Sequence, residues 1–363
     1  MEMVKVKRTE RLLKKMEELG LESLFLNNVS NVRYISGYTG ADSYILISPK
    51  GKWFITDYRY TEQAKKECTE FEVIQRNRQT TTLGQCVNQL LKENNISNMG
   101  FERDHISFGM IEDIKNDIEN AEIIPTSGIV EGLRYTKDEG EIELVKKACE
   151  IADKAFEQLL KIIKVGMTEA EAALELEYFM KKLGAEDVAF DTILISGKKT
   201  SMPHGIPSDK KIEYGDFITV DFGALYKGYR SDMTRTFVMG EANEEQVKVY
   251  NSVLEAQKAA VAGIKAGITG KEADDKATEI LKRDGYYEVS GKSLGHGVGL
   301  DIHERPFMNP ICQDVLEEGC IVTVEPGVYI PGWGGVRIED TVVVTKDGCE
   351  ILTHTPKELL VIK

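Results

Sequence analysis

Two stretches of this chain repeat one another. Gly166-Met167-Thr168 opens a segment that closes at Gly184, Gly267-Ile268-Thr269 opens one that closes at Gly285, and the same interval separates both pairs of glycines. Each Thr is followed three residues on by Glu171 or Glu272. This spacing marks a helix start in which the Thr hydroxyl accepts a backbone N–H and the Glu reaches back to the cap. Thr136 and Glu139 show it too. Glycine at the far end suits the left-handed position that follows a helix. A second match comes next: Glu213 to Gly223 and Glu317 to Gly327 share the frame E-x-G-x-x-[IV]-T-V-[DE]-x-G. Each half therefore predicts two helices and then a strand ending in a carboxylate. Two such halves can bury a common core as a pseudo-symmetric α+β domain, with helices backing a curved sheet.

The segment before the repeat reads differently. An amphipathic helix is predicted over Thr9–Leu19, stopping at Gly20, followed by strands at Ser23–Leu26, Tyr44–Ile47 and Trp53–Thr56, the last two joined by Pro49-Lys50-Gly51. A helix over Leu83–Leu91 and short strands near Gly100 and Ile123–Ile124 complete an α/β domain. It ends near Thr126-Ser127-Gly128, so the expected domains are 1–127 and 128–363. His105 stands alone there and is expected to be structural. With 46 Lys and Arg against 60 Asp and Glu, a net charge of −14, the chain would repel nucleic acid and anionic membranes. Met1–Lys15 is charged and lacks the apolar core of a signal peptide, and no apolar run approaches membrane-spanning length. The six cysteines are scattered without a CxxC pair, as expected of buried thiols in a cytoplasmic protein.

The acids at the repeat's strand ends carry the chemistry. Alternation puts Thr219 and Asp221 on one strand face and Ile218, Val220 and Phe222 on the other. A hairpin turning at Tyr226-Lys227 would set Asp221 directly opposite Asp232. In the second half, a loop centred on Gly332 would bring Glu325 towards Glu339. Most acids are solvated, but these four lie in apolar strands, where an unpaired charge is costly. Between the hairpins runs Gly295-His296-Gly297-Val298-Gly299, whose glycines exclude a regular helix and let backbone approach a ligand. His303 follows, and His204 stands at a nearly equivalent point of the first half. The segment is not a dinucleotide fingerprint, because Leu300 replaces the third glycine. Four carboxylates and an imidazole suit Mn²⁺, Co²⁺ or Zn²⁺, and four negative ligands balance two dications. Such a pair holds a bridging hydroxide near neutral pH, as in two-metal hydrolases.

The blocks TVDFG and SDMTRTF, GHGVGLDIHERP, VEPGVYI and GVRIEDT resemble those of the M24 peptidase family with its "pita-bread" fold. Tyr38-Thr39-Gly40 and Thr56 to Ala64 resemble the creatinase-type N-terminal domain that accompanies aminopeptidase P and prolidase. The resemblance implies that Asp221, Asp232, His296, Glu325 and Glu339 bind two divalent ions, Mn²⁺ foremost. Glu325 would also take a proton from the nucleophilic hydroxide's parent water. His303 would hydrogen-bond the substrate carbonyl, His204 would orient the peptide, and Arg337 would hold the Glu339 carboxylate. The family's usual Pro-Asn before the first histidine is replaced here by Lys198-Lys199. The implied activity is cleavage of the bond preceding proline in a small peptide with proline at its second position. Prolidase (an Xaa-Pro dipeptidase) is the first choice and aminopeptidase P the alternative. Metal-free creatinase-like C–N hydrolysis and a non-enzymatic binding module are the readings from other classes. A homodimer is implied by the resemblance alone.

Overall fold

The computed structural model describes residues 2–363, with side chains from Arg8 onward. The chain divides into two compact units, Met1–Arg134 and Tyr135–Lys363. The first opens with α1 (Glu2–Glu18), which buries Leu12 and Met16 and is ended by Gly20 at φ +68°. Its sheet comprises β1 (Leu24–Leu26), β2 (Tyr44–Ser48), β3 (Gly51–Thr56), β4 (Glu72–Gln75), β5 (Asn98–Glu102) and β6 (Glu122–Thr126), in the order β4-β3-β2-β1-β5-β6. The β2–β3 hairpin turns on Pro49-Lys50, with Ser48 facing Gly51. Helices α2 (Val29–Ser36), α3 (Thr61–Glu67), α4 (Leu83–Glu93), α5 (Phe108–Asp117) and α6 (Ile129–Arg134) join the strands. The unit extends past the expected end at residue 127 because α6 is tied back to α2, where Arg134 donates to Asn31 at 2.7 Å. His105 lies between Glu131 (2.8 Å) and Asn28 (3.0 Å), as a structural histidine does.

The second unit repeats one plan twice. Helices α7 (Glu139–Leu159) and α8 (Glu169–Lys182) precede β7 (Asp187–Val188), β8 (Ile193–Ser196), β9 (Phe217–Phe222), β10 (Ala224–Tyr226), β11 (Tyr229–Arg230) and β12 (Met233–Met239). Helices α9 (Glu244–Gly263) and α10 (Gly270–Arg283) precede β13 (Gly295–Gly297), β14 (Glu304–Met308), β15 (Ile321–Val324), β16 (Gly327–Ile330), β17 (Gly334–Arg337), β18 (Asp340–Val344) and β19 (Cys349–Ile351); β20 (Val361–Ile362) ends the unit. Thr168 and Thr269 each form the expected capping box. The repeated glycines share left-handed backbone: φ is +88° and +93° at Gly166 and Gly267, and +87° and +89° at Gly215 and Gly319. Thr136 does not cap α7. Asp138 does, with Glu141 completing its box, because Lys137 N–H is engaged by the Gly319 carbonyl just before the helix.

Each helix pair covers its own sheet. Phe156 of α7 packs between Phe222 and Phe237 of β9 and β12, with ring centroids 5.5 and 6.1 Å away. Val253 and Ala256 of α9 join Val322 and Val342 of β15 and β18 in a second core. The two sheets meet at a buried cation. Arg235 on β12 is 1% exposed and donates to the carbonyls of Thr234, Glu339 and Thr355 and to the carboxylate of Asp340. Asp340 also accepts from Gln257, Thr353 and Lys357. None of the cysteines is in a disulfide, and among the described residues no helix is long and apolar enough to cross a membrane.

Removing Arg235 takes from buried Asp340 one of its two cations and from the carbonyls of Thr234, Glu339 and Thr355 a donor. Arg235→Leu should therefore lower unfolding free energy by about 3–5 kcal/mol, against about 1 kcal/mol for Thr168→Ala at a helix cap. Urea unfolding of both variants checks this, and equal small losses would contradict the assigned role of Arg235.

Candidate metal centre

The hairpin built from β9 and β12 sets the first two acids. Ile218, Val220 and Phe222 point into the core, which turns Thr219 and Asp221 to the opposite face. The hairpin does not turn at Tyr226-Lys227. Tyr226 faces Tyr229, so the turn is Lys227-Gly228, with φ of +48° and +84°. Both values suit the tight turn whose twist matches a hairpin. Asp221 is consequently opposite Thr234 rather than Asp232, which sits on the same face two residues along. This diagonal separates two like charges that direct opposition would crowd. In the second half Gly327 faces Arg337 and Val324 faces Asp340, a register that sets Glu325 and Glu339 across from each other, as expected.

The two hairpins converge. Oxygens of Asp221, Asp232 and Glu339 lie within 4.8 Å of one another. His296 on β13 directs Nε2 to Glu325 at 3.3 Å and to Asp232 at 3.7 Å. All five residues named as ligands thus meet in one place. Asp221 Oδ1 and Glu339 Oε1 are buried without a hydrogen-bond partner. A lone buried carboxylate oxygen is costly, and such groups persist where a cation satisfies them. The set of carboxylates and one imidazole is also that of a hard or borderline dication, so these residues fit the implied pair of ions.

Electrostatics agree. Burial, then the charges of its neighbours led by Glu339, holds Asp232 well above the usual carboxylate range. Burial, followed by Glu325 and Asp221, does the same for Glu339, and burial raises Asp221 against the pull of Arg337. Burial also pushes Glu325 up, but its bond to His296 and the Arg337 charge outweigh this and lower it. His303 is lowered by burial and by His296, whose ring lies 4.3 Å away, edge to face.

Arg337 does not hold Glu339. Its guanidinium spans Asp221 at 2.6 Å, the Thr234 hydroxyl at 3.0 Å and the Tyr329 hydroxyl at 2.8 Å, because the shifted hairpin register puts Thr234 between it and Glu339. Thr234 takes over the expected task, donating to Glu339 at 2.6 Å. Thr323 does the same for Glu325 at 3.1 Å. Neither threonine nor Tyr329 was singled out as a sequence, although Thr323 is the invariant Thr of the repeated frame. Beside the acids lies a cavity of about 300 Å³ whose wall includes His204, His303, Phe190, Ile193, Ile302 and Tyr329.

Comparison with known proteins bears on the family of the chain. The model of "Metallopeptidase family M24" matches residues 143–346, and that of the "Creatinase/Prolidase N-terminal domain" matches 8–136. The chain is 42% identical to a Pyrococcus furiosus protein described as Xaa-Pro dipeptidase, covering 97% of this chain and 99% of the relative. The solved structure of an Xaa-Pro dipeptidase from Bacillus anthracis superposes with a TM-score of 0.95 at 46% identity, covering 98% and 99% of the two chains. An X-Pro aminopeptidase from Thermotoga maritima gives 0.90 at 41%, with the same coverage. The creatinase-like and pita-bread folds expected of the two units are therefore present.

A carboxyl group whose pKa is raised by folding holds its proton in the native state. It adds stability below the ordinary carboxylate range and forfeits it as pH climbs through the raised value. Freed of metal by chelation, the protein should thus lose stability from acid towards neutral pH. Asp232→Asn should flatten that loss, and adding a divalent cation should reverse it in the wild type only. Urea midpoints across pH measure this, and identical profiles for both proteins would contradict the crowding of charge.

Proposed function

The chain belongs to metallopeptidase family M24 with a creatinase-type N-terminal domain, and from that premise we propose that it is an Xaa-Pro dipeptidase (a prolidase) using two divalent ions, Mn²⁺ foremost. The observation that carries this reading is the convergence of buried acids with unsatisfied oxygens beside a cavity of small-peptide size. Asp221, Asp232, His296, Glu325 and Glu339 would hold the ions. When bound, such a pair supplies Lewis acidity that activates water and polarises a carbonyl.

The remaining steps belong to the chain's own groups. Glu325, whose carboxyl is held low by His296, accepts the proton of the attacking water and passes it to the departing proline nitrogen. His303, kept neutral by burial, donates a ring N–H to the scissile carbonyl oxygen. His204, also in the cavity wall, orients the peptide. Arg337 steadies Asp221, and Phe190, Ile193 and Ile302 shield the bond from bulk water. The amide before proline has no N–H to recognise, which suits an apolar wall with donors aimed only at the carbonyl. Relatives described as Xaa-Pro dipeptidases support the substrate class. We also place the enzyme in the cytoplasm as a homodimer.

The similarity to an X-Pro aminopeptidase favours a second reading, removal of the first residue from longer peptides. Metal-free hydrolysis and a binding role would both leave the orphaned oxygens of Asp221 and Glu339 unexplained.

With Mn²⁺ supplied, Xaa-Pro dipeptides should be cleaved faster than Xaa-Pro-Xaa tripeptides. Turnover of the tripeptides alone would move the assignment to the aminopeptidase. Glu325→Gln should cut kcat by about 10²- to 10⁴-fold, and Asp232→Asn should abolish both Mn²⁺ binding and turnover. Normal turnover in either variant would refute the site.

A further inference from the structure

Glu169, the first residue of α8, is fully buried yet charged, and it lies outside the metal centre. One of its oxygens accepts from the Ser196 N–H at 2.8 Å and the Ser196 hydroxyl at 2.9 Å. The other accepts from the Ser208 N–H at 3.1 Å, the Ser208 hydroxyl at 2.8 Å and the Lys199 ammonium at 2.7 Å. Ser196 and Ser208 are the two ends of a loop, so one carboxylate pins both. Lys199 spends its remaining donors across that loop, on the Ile206 carbonyl at 2.6 Å and the Ser208 hydroxyl at 2.8 Å. The loop's far side touches the second half of the unit, where Gly335 N–H donates to the Thr200 hydroxyl at 2.8 Å.

What the loop carries makes this matter. Pro203 and His204 line the cavity beside the metal ligands, yet both are exposed, as are Met202 and Ile206 around them. Little apolar burial holds these residues in place, so their position depends on the polar base. A buried ion pair adds little net stability, and its best-attested use is to select one geometry. Lys199, like Lys198, stands where the family's usual pattern differs.

We propose that Lys199 is a positioning residue: its ammonium, locked onto Glu169, fixes the loop that presents Pro203 and His204 to the substrate cavity. This rests on reading that cavity as the Xaa-Pro site. An arginine can serve the same three acceptors, whereas a methionine of similar length leaves Glu169 buried without its counter-charge and the loop free to drift from its place.

The test compares Lys199→Met, Lys199→Arg and Glu169→Gln in the full-length, Mn²⁺-loaded enzyme. Misplacing a substrate-facing group by about 1 Å can cost up to about a hundredfold. Lys199→Met should accordingly lower kcat/KM for an Xaa-Pro dipeptide on the order of tenfold to a hundredfold, mostly through KM, and Lys199→Arg should recover most of it. Mn²⁺ affinity by titration calorimetry should not change. Hydrogen exchange across residues 197–208 should quicken in Lys199→Met and Glu169→Gln but not in Lys199→Arg. In a His204→Ala background, Lys199→Met should add clearly less than its loss in the wild type, because both act through the placement of one loop. Losses that multiply, or exchange that stays at the wild-type rate, would overturn the proposal. A wild type unable to cleave Xaa-Pro peptides would instead refute the substrate reading, and the exchange measurement would still decide the clamp.

Discussion

Like charges crowded together define this molecule's second unit. Asp221, Asp232 and Glu339 come within 4.8 Å of one another in a buried place, and two of their oxygens find no donor in the protein. A fold does not assemble such a cluster unless the backbone leaves the side chains little choice. Here two hairpins, each locked to its own helix pair, fix where the acids stand before any ligand enters. The cost of bringing them together is borne by the apolar cores under Phe156 and Val253. It is offset in part by Arg337, a buried cation that reaches Asp221.

Around the acids, hydroxyls do the orienting. Thr234 serves Glu339, Thr323 serves Glu325 and also receives the His296 N–H, and Thr219 pairs with Thr236. A hydroxyl can donate to a carboxylate without adding charge, so these threonines aim the acids and leave the field negative. Behind them Arg235 ties the carbonyls of Thr234 and Glu339 together, which couples the backbones of the two hairpins as well as their side chains. The polarity of the centre is thus layered: anions inside, hydroxyls around them and a cation behind.

Much of this was legible in the sequence, and the failures are instructive. The repeat announced itself through glycines and threonines because left-handed turns and helix caps tolerate few other residues. The five ligands stood out because acids and histidine are conspicuous in apolar strands. The turn of the first hairpin was misplaced by one residue, which shifts its register by two and sets Asp221 opposite Thr234. Lys227 adopts positive φ without being Asn, Asp or Gly, so the turn lacked its usual signature. That single step also changed the partner of Arg337 from Glu339 to Asp221. The cap of α7 was assigned to Thr136 although Asp138 is equally suited, since both are followed by Glu at the right spacing. In the first unit five of the six strands were apparent, but β4 has only four residues, and α2, α3, α5 and α6 are short and run over too few turns to show a period.

The strap formed by residues 353–362 gives the centre a direction in time. Thr355 and Lys357 complete the shell around Arg235 and Asp340, and β20 then adds itself to β12, the strand that follows Asp232. A chain is made from one end to the other, so the first hairpin waits through synthesis for partners that emerge more than a hundred residues later. Until then Arg235 has no Asp340 to neutralise it, and the lone acids of the first half have no Glu339 beside them. A partly made chain therefore carries neither the crowded anions nor the rigid frame that would trap a stray cation. The crowded cluster of acids exists only in the finished fold.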